Sequence, residues 1–241
     1  MYIKIFIAML LTINILFSGT FEEAMDFSKK GDYNKAIEIY MNLAKKGDAK
    51  SENKLAVMYD KGIGVKKNST KALYWYKKAA KQGYKPAEYN LGFFYHIRKR
   101  YEKALYWYKK SGTTKGYLAV GAIYDYKKKY KQASYWYKKA VKRGNPEATS
   151  YLGNLYQHGL GLKRDYKKAL SLYNMAIKKG FYSAYVNLGV MYALGQGVKK
   201  DKVKAYNYWR IVASKRSYLG SKQKAQRNLD ILCKRSPWVC K

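Results

Sequence analysis

Acidic residues, cysteines and histidines are scarce in this chain of 241 residues. Asp and Glu number 15 against 50 Lys and Arg, so the formal net charge is +35. The two cysteines are Cys233 and Cys240, and the two histidines are His96 and His158. Two thiols alone complete no zinc site, and the sequence offers no Ser/His/Asp cluster, metal-ligand set or paired carboxylate site. We therefore expect no enzymatic activity, no metal and no cofactor.

The excess of basic charge is concentrated in one part of the chain. Residues 21–60 hold eight acids and seven bases, whereas residues 61–241 hold forty-two bases and seven acids. An AT-rich genome favours lysine codons, but it supplies glutamate codons as easily, so codon bias alone does not explain the lack of acids. A positive field of this size attracts anionic partners. We expect an acidic partner protein, and an anionic surface stays an alternative.

The longest apolar run lies at the N-terminus, where IFIAMLLTINILF (5–17) follows MYIK and precedes Ser18-Gly19-Thr20. This pattern predicts an export signal over residues 1–19, although cleavage after Ser18 or Thr20 is also open. The run is short for a membrane span of ~20 residues, so an uncleaved anchor is the less favoured alternative. We expect a periplasmic or secreted protein, and an exported chain is not expected to bind nucleic acid.

The two cysteines stand close together in CKRSPWVC at the C-terminal end. In an oxidising compartment they are expected to form a disulfide between Cys233 and Cys240. The closed loop is small, so its contribution should lie at the low end of the usual ~2–4 kcal/mol. The alternative is two unpaired thiols on a frayed tail.

A nine-residue string recurs as ALYWYKKAA (72–80), ALYWYKKSG (104–112) and ASYWYKKAV (133–141). The alanine that heads this motif recurs at intervals of 29 to 36 residues, at Ala36, Ala72, Ala104, Ala133, Ala169 and Ala205. A second motif precedes each of the last five, as LAVMY (55–59), LGFFY (91–95), VGAIY (120–124), LGNLY (152–156) and LGVMY (188–192). This alternation indicates a repeated unit of two helices and a turn.

The spacing within each motif predicts which side chains are buried. Ala72, Trp75, Tyr76 and Ala79 recur at i, i+3, i+4 and i+7, which places them on one face of a helix. In the first helix of the unit, Leu91, Gly92 and Tyr95 follow the same logic, and a glycine recurs at 121, 153 and 189. Since glycine in a helix costs ~1 kcal/mol, we expect it to give room to an aromatic ring of the neighbouring helix.

Proline, asparagine and aspartate mark the predicted helix starts. Pro86 and Pro146 suit an opening turn, and Asn145 is a good N-cap. Equivalent N-caps are expected at Asn68, Asp165 and Asp201, and Ser221 is the expected N-cap of a final helix.

Three inter-helix loops carry G-x-G, in GIGV (62–65), GLGL (159–162) and GQGV (195–198). A phosphate-binding loop is not favoured, because no strand precedes these glycines and the wider G-x-G-x-x-G pattern is absent. We interpret them as left-handed helix C-caps followed by a turn with an apolar plug such as Val65.

The pattern Y-x-x-G-x-G-V-x-K-[DN]-x-x-K-A-x-x-W-Y resembles the Sel1-like repeat, a relative of the tetratricopeptide repeat, in its exported bacterial type. It is carried by Tyr59–Tyr76, Tyr156–Tyr173 and Tyr192–Trp209. The middle units (86–114 and 116–144) replace the G-x-G loop by HIRKR and DYKKK and resemble tetratricopeptide repeats more. The resemblance implies an all-α, α/α solenoid of about six helix-turn-helix repeats over residues 20–217, closed by a capping helix and tail (218–241).

The same resemblance implies a non-enzymatic scaffold for protein–protein interaction, such as a periplasmic adaptor or an immunity protein against a secreted phospholipase-type toxin. A secreted factor that binds host proteins or anionic envelope surfaces is the alternative. Some cysteine-rich relatives are described as penicillin-binding or β-lactamase-like. The Ser-x-x-K motifs at Ser51–Lys54 and Ser221–Lys224 match that chemistry, but they are expected by chance in so basic a chain, and the helix-linking cysteines are missing.

Packing does not require every residue of the recurring string. Tyr74 lies about 200° around the helix from Ala72, and the two following lysines lie on its side. The candidate partner-binding residues are therefore Tyr74, Lys77, Lys78, Tyr106, Lys109, Lys110, Tyr135, Lys138 and Lys139. The alternative is that the lysines only complement the helix dipole and that the tyrosines only shield the packed face.

Two further surfaces are candidates. Basic loop residues recur at the other end of each helical pair, at Lys66-Lys67, Arg98-Lys99-Arg100, Lys127-Lys128-Lys129, Lys163-Arg164 and Lys199-Lys200. The inner face of the first helices is the other candidate, through Asn90, Phe93, Tyr151 and Asn187.

Overall fold

The computed structural model describes residues 19–214 and 219–240, so the apolar run of the expected export signal lies outside the described residues. The described chain contains thirteen α-helices, a short 3₁₀-helix at Pro237–Val239, and no strand. The helices are α1 Phe21–Lys30, α2 Tyr33–Lys45, α3 Ala49–Lys61, α4 Ser69–Lys81, α5 Lys85–His96, α6 Tyr101–Ser111, α7 Thr114–Tyr126, α8 Tyr130–Lys142, α9 Pro146–His158, α10 Tyr166–Lys178, α11 Ala184–Leu194, α12 Lys202–Ser214 and α13 Leu219–Arg235. None of these helices has both the length and the apolar character that a membrane span requires.

The chain divides into two compact units, residues 1–116 and 117–241. The helical pairs α1–α2, α3–α4 and α5–α6 belong to the first unit, and successive pairs pack against each other there. The pairs α7–α8, α9–α10 and α11–α12 and the final helix α13 belong to the second. The predicted all-α fold of stacked helical pairs, an α/α solenoid, is confirmed.

The packed face of the recurring string is the predicted one. Ala72, Trp75, Tyr76 and Ala79 are all buried. The alanine that heads the motif is fully buried in every repeat, at 36, 72, 104, 133, 169 and 205. At a fully buried position in a closely packed interior, a side chain larger than a methyl group needs room that its neighbours must give up.

The glycines of the first helices give room to an aromatic ring, as expected. A Cβ atom at Gly92 would lie 2.6 Å from the ring of Tyr108, and one at Gly121 would lie 2.5 Å from that of Tyr137. Gly153 faces Tyr173 and Gly189 faces Trp209 in the same way. The four rings are almost completely buried, so in these four pairs the second helix is anchored on the first by one aromatic residue.

The hydroxyl or indole N–H group of each anchoring ring also has a polar partner within its helical pair. The hydroxyl of Tyr137 donates to Asp125 Oδ2 at 3.2 Å, and that of Tyr173 donates to Gln157 Oε1 at 2.7 Å. Tyr108 Oη lies 3.4 Å from His96 Nδ1. The residues that meet these three hydroxyls occupy equivalent positions, four residues after the glycine of the first helix. Burial raises the pKa of all three tyrosines. Where the anchor is Trp209, its Nε1 donates to a backbone carbonyl, and the equivalent position is alanine.

Most predicted helix caps are present. The side chains of Asn68, Asn145, Asp165 and Asp201 accept backbone N–H groups three residues onward at 2.7 to 2.9 Å. Pro86 and Pro146 lie in opening turns. The prediction for Ser221 is wrong: α13 already includes Leu219 and Gly220, and the Ser221 hydroxyl donates to Ser183 Oγ at 2.8 Å. That contact ties the final helix to the segment that leads into α11.

The structure explains why both positions of each G-x-G loop are glycine. The first is a left-handed C-cap, with φ of 73° at Gly62, 69° at Gly159 and 70° at Gly195. The second is also left-handed and packs against the start of the preceding repeat's second helix. A Cβ at Gly161 would lie 2.6 Å from Lys131 N, and one at Gly197 would lie 2.5 Å from Tyr166 Cβ. This second role was not foreseen from the sequence.

The predicted disulfide is present. Cys233 and Cys240 are joined, with their Cα atoms 5.7 Å apart. The bridge holds the 3₁₀-helix against the end of α13, where Val239 packs into a core with Leu229, Leu232 and Trp209. The tail is therefore part of the second unit's core and is not frayed.

The middle repeats lack the G-x-G loop and place lysine in a left-handed conformation instead. Lys99 has φ of 57° and Lys128 has φ of 55°. Such a conformation costs roughly 1–2 kcal/mol for a residue with a Cβ atom. The short loop that joins the two helices of these repeats requires it, because the backbone turns there without glycine.

Replacing Lys128 by glycine should therefore stabilise the chain. Lys128→Gly removes the left-handed strain but adds backbone entropy to the unfolded chain, so we expect a net gain of about 1 kcal/mol in the free energy of unfolding. The matched control is Lys129→Gly, because Lys129 has an ordinary φ of −87°. The control should show no gain in the free energy of unfolding when both variants are measured by urea unfolding. A loss of stability in Lys128→Gly would contradict this account of the loop.

Candidate functional site

The three tyrosines of the recurring string point outward, as the helical period predicts. Tyr74 and Tyr106 are each 58% exposed, and Tyr135 is 53% exposed. Each ring meets the next residue's tryptophan edge-on, with ring centroids 4.9 Å apart for Tyr74–Trp75, 5.1 Å for Tyr106–Trp107 and 5.2 Å for Tyr135–Trp136. An exposed tyrosine held in this way offers rigid contact area at little cost in conformational entropy.

The two lysines of each string have different surroundings. Lys77, Lys109 and Lys138 are exposed. In contrast, Lys78 Nζ lies 3.0 Å from Oε1 of Glu52, a fully buried carboxylate on α3. It also donates to the carbonyl of Ala44 at 3.1 Å and lies over the Trp75 ring. Lys78 therefore joins α4 to α3, the first helix of its own repeat, and to the end of α2 in the preceding repeat.

The second lysine makes comparable contacts in the next two strings, although Lys110 is more exposed than Lys78. Lys110 Nζ lies 3.6 Å from Oε1 of Glu88, which is also buried, and over the ring of the neighbouring tryptophan. In the second unit the position equivalent to Glu52 and Glu88 is Tyr117, and Lys139 lies 5.6 Å from the centroid of that ring. The second lysine thus changes its contact with its partner, from an ion pair to a cation–π interaction. A partner-binding role for the second lysine stays a prediction, and its packing contacts are a sufficient reason for a lysine at this position.

Removal of the second lysine should destabilise the fold, and removal of the first should not. Lys78→Met leaves Glu52 buried with only Gln82 Nε2, which donates to its other oxygen at 2.8 Å. We expect a loss of about 2–3 kcal/mol in the free energy of unfolding, below the ~3–5 of a fully buried pair because Lys78 is partly exposed.

The matched control is the neighbouring exposed lysine, in Lys77→Met. An exposed substitution of this kind should change the free energy of unfolding by less than about 0.5 kcal/mol. Equal losses of stability in the two variants, measured by urea unfolding, would contradict a structural role for Lys78 that Lys77 lacks.

The few acids of the chain are almost all used within it. Five act at helix N-termini, namely Glu23, Asp32, Asp48, Asp165 and Asp201. Three form ion pairs between helices or loops, namely Glu52, Asp60 and Glu88. Two accept tyrosine hydroxyls, namely Asp125 and Glu147. The exposed lysines therefore have few acids left to neutralise them, and the surface stays strongly positive.

One member of the basic loop row is structural. Arg98 lies over the Phe94 ring at 3.5 Å, donates to Ser69 Oγ at 2.8 Å and to the Phe94 carbonyl at 2.9 Å, and pairs with Asp60 at 3.4 Å. It joins the loop after α5 to the preceding repeat. Most of the other basic residues of the row are exposed, among them Lys66, Lys67, Lys99, Arg100, Lys128, Lys129, Lys163, Arg164, Lys199 and Lys200.

The inner-face candidates fall into two groups. In the first unit, Asn90 donates to Asn53 Oδ1 at 2.9 Å, and Phe93 is 47% exposed. In the second unit, Tyr151 and Asn187 line an open groove of about 590 Å³ with walls from α7, α9, α11 and α13. The groove is polar, and its lining includes Asp125, Glu147 and Lys224. Of these lining residues the sequence predicted only Tyr151 and Asn187; aligning the repeats on Gly121 would have found Asp125.

Comparison with known proteins fits this architecture. The pattern that describes the Sel1 repeat matches five segments, at residues 49–84, 85–113, 118–145, 146–181 and 183–216. The chain belongs to the Sel1 repeat family. The two middle repeats, which lack the G-x-G loop, are among the five. The pair α1–α2 precedes the first match and completes the six helical pairs of the described chain.

Solved structures agree with this membership. This Sel1 repeat protein is similar to c5321, a protective antigen of uropathogenic Escherichia coli with an SLR fold, at a TM-score of 0.75 and 29% identity over 84% of this chain and 45% of that one. It is similar to a Sel1 repeat protein of Oxalobacter formigenes at a TM-score of 0.71 and 30% identity over 79% of this chain and 83% of that one.

A curated relative matches a shorter segment. It is a sel1-like repeat-containing protein of Acanthamoeba polyphaga mimivirus, 36% identical over 81 residues, which are 34% of this chain and 15% of the relative. The chain thus spans a small part of that relative and less than half of c5321. What is shared is the repeat, which is a scaffold for protein–protein interaction.

Proposed function

We propose that this Sel1 repeat protein is an exported, non-enzymatic scaffold that binds an acidic partner protein through its exposed tyrosines and lysines. The observation that carries the proposal is the repeated pairing of an exposed, tryptophan-braced tyrosine with an exposed lysine, as at Tyr74 and Lys77 and again at Tyr135 and Lys138. Tyrosine supplies contact area and a hydroxyl, and lysine steers the approach of an acidic surface.

Export is supported by two features at opposite ends of the chain. The apolar run over residues 5–17 has the length and flanks of a signal sequence. The Cys233–Cys240 disulfide is of the kind that persists in oxidising compartments. A periplasmic adaptor or an immunity protein against a phospholipase-type toxin fits these features, as does a secreted factor that binds a host protein.

A penicillin-binding or β-lactamase-like activity has no support at the Ser-x-x-K motifs. Ser51 is fully buried, and no described group hydrogen-bonds to its hydroxyl. Ser221 is engaged with Ser183. A nucleophilic serine needs both an accessible Oγ and an adjacent base, and neither motif supplies them.

An anionic lipid surface is the second candidate, and a pocket of about 350 Å³ at the end of the second unit favours it. Its apolar lining includes Leu194 and Ile231, which are exposed, and its charged lining includes Lys200, Lys202 and Arg235. Apolar side chains rimmed by cations suit an acyl chain with an anionic head group.

Capture on the immobilised mature chain tests the proposal. We expect an acidic protein to be retained at low salt. Its retention should weaken at moderate salt, because screening reduces the attraction between exposed charges. Combined Tyr74→Ala and Lys77→Ser substitutions, or Tyr135→Ala and Lys138→Ser, should reduce its retention by about tenfold, as expected for loss of a tyrosine contact worth 1–2 kcal/mol.

The control removes equal or greater positive charge elsewhere, in Lys66→Ser with Lys67→Ser, and should change retention much less. Equal losses in control and test variants would reduce the proposal to non-specific attraction by net charge. Binding to vesicles of anionic phospholipid that is lost in Lys200→Ser with Arg235→Ser, with no acidic protein retained, would favour the lipid surface instead.

A further inference from the structure

The groove on the inner face of the second unit differs in charge from the rest of the molecule. Its lining carries two carboxylates, Asp125 and Glu147, and one cation, Lys224, in a chain of net charge +35. We propose that this groove binds an extended segment of a partner protein and holds a lysine or arginine side chain of that segment between Asp125 and Glu147. This site is separate from the tyrosine–lysine surface and selects the opposite charge.

The two carboxylates are held by tyrosine hydroxyls. Tyr137 donates to Asp125 Oδ2 at 3.2 Å, and Tyr151 donates to Glu147 Oε1 at 2.9 Å. The two tyrosine rings pack together with centroids 5.5 Å apart, so the carboxylates are fixed relative to each other. A carboxylate accepts more than one hydrogen bond, and each of these keeps a second oxygen for an ammonium or guanidinium donor.

Neither carboxylate is paired with a cation in the described part of the chain. In contrast, Glu52, Glu88 and Asp60, which also lie between helices or loops, each have a lysine or arginine partner. Burial raises the pKa of Asp125, and hydrogen bonding from Tyr137 only partly offsets that effect. A bound cation would supply the missing compensation.

The anchoring of α8 does not require a charge at position 125. The equivalent positions in two other repeats are His96 and Gln157, and each meets its own anchoring tyrosine with a neutral side chain. A neutral acceptor would therefore serve the Tyr137 hydroxyl as well as Asp125 does. The packing of α8 therefore does not explain why position 125 carries a negative charge.

A serine hydroxyl in the same groove is open to an occupant. Ser150 is 2% exposed as a residue and lines the groove, and no described residue hydrogen-bonds to its side chain. Its hydroxyl is accessible from the groove and can donate to or accept from a bound segment. Asn187, half-buried on the opposite wall, offers an amide that suits the backbone of an extended peptide. The volume, about 590 Å³, is within the range of ligand sites, which argues for a segment of a few residues.

Fluorescence anisotropy with labelled peptides tests this inference on the mature chain. Gly-Arg-Gly-Arg-Gly should bind saturably despite the net positive charge, whereas the peptides with glutamine or glutamate in place of arginine should not. Asp125→Asn and Glu147→Gln should each weaken binding of the arginine peptide at least about tenfold, the loss expected when a charge-assisted hydrogen bond becomes a neutral one. Both changes keep the shape of the side chain and an acceptor for the tyrosine hydroxyl.

Two controls separate this site from the proposed function. Asp230→Asn removes an exposed carboxylate of the same unit outside the groove lining and should leave peptide binding unchanged. Tyr74→Ala with Lys77→Ser should also leave it unchanged. No saturable binding of the arginine peptide, or binding equally reduced by Asp230→Asn, would overturn the inference. Spermidine that competes as strongly as the peptide would overturn the assignment to a protein segment and identify a site for free amines.

Discussion

The contact between a glycine of one helix and an aromatic ring of the next fixes the orientation on which the rest of the structure depends. Gly92 with Tyr108, Gly121 with Tyr137, Gly153 with Tyr173 and Gly189 with Trp209 all show it. A ring seated against a glycine sets the rotation of the second helix about its own axis. Once Tyr108 faces inward, the residue two positions earlier must face the opposite way, which is why Tyr106 is exposed.

That orientation also divides the lysines of each string. The second lysine lies beside the first helix of its own repeat, where it contacts a buried carboxylate or an aromatic ring, as with Lys78 and Glu52 or Lys139 and Tyr117. The first lysine is exposed. The molecule thus uses most of its rare acids for helix caps and for contacts between its own side chains, and its outer surface is basic. The two carboxylates of the second unit's groove accept tyrosine hydroxyls, and no cation of the described chain pairs with them.

Local patterns in the sequence predicted the repeat, its packed face, most helix caps and the disulfide, because these depend on spacing along one helix or on short loops. The features that were missed depend on contacts between distant residues. The Lys78–Glu52 pair joins the two helices of one repeat, and the second glycine of each G-x-G loop is required by the preceding repeat, as Gly197 is by Tyr166. Ser221 was wrongly assigned as a cap because the helix already includes Leu219 and Gly220; its hydroxyl donates to Ser183, 38 residues away. The groove forms only when four helices are placed together.

In the strings at 72–80 and 133–141 the second lysine packs within the fold, whereas the first is exposed to solvent. Competitive acetylation with limiting reagent, read by mass spectrometry, measures the availability of each amine directly. We expect Lys77 to be acetylated faster than Lys78, and Lys138 faster than Lys139, with both differences lost when the chain is unfolded in urea. Equal rates within each pair in the folded chain would contradict the claim.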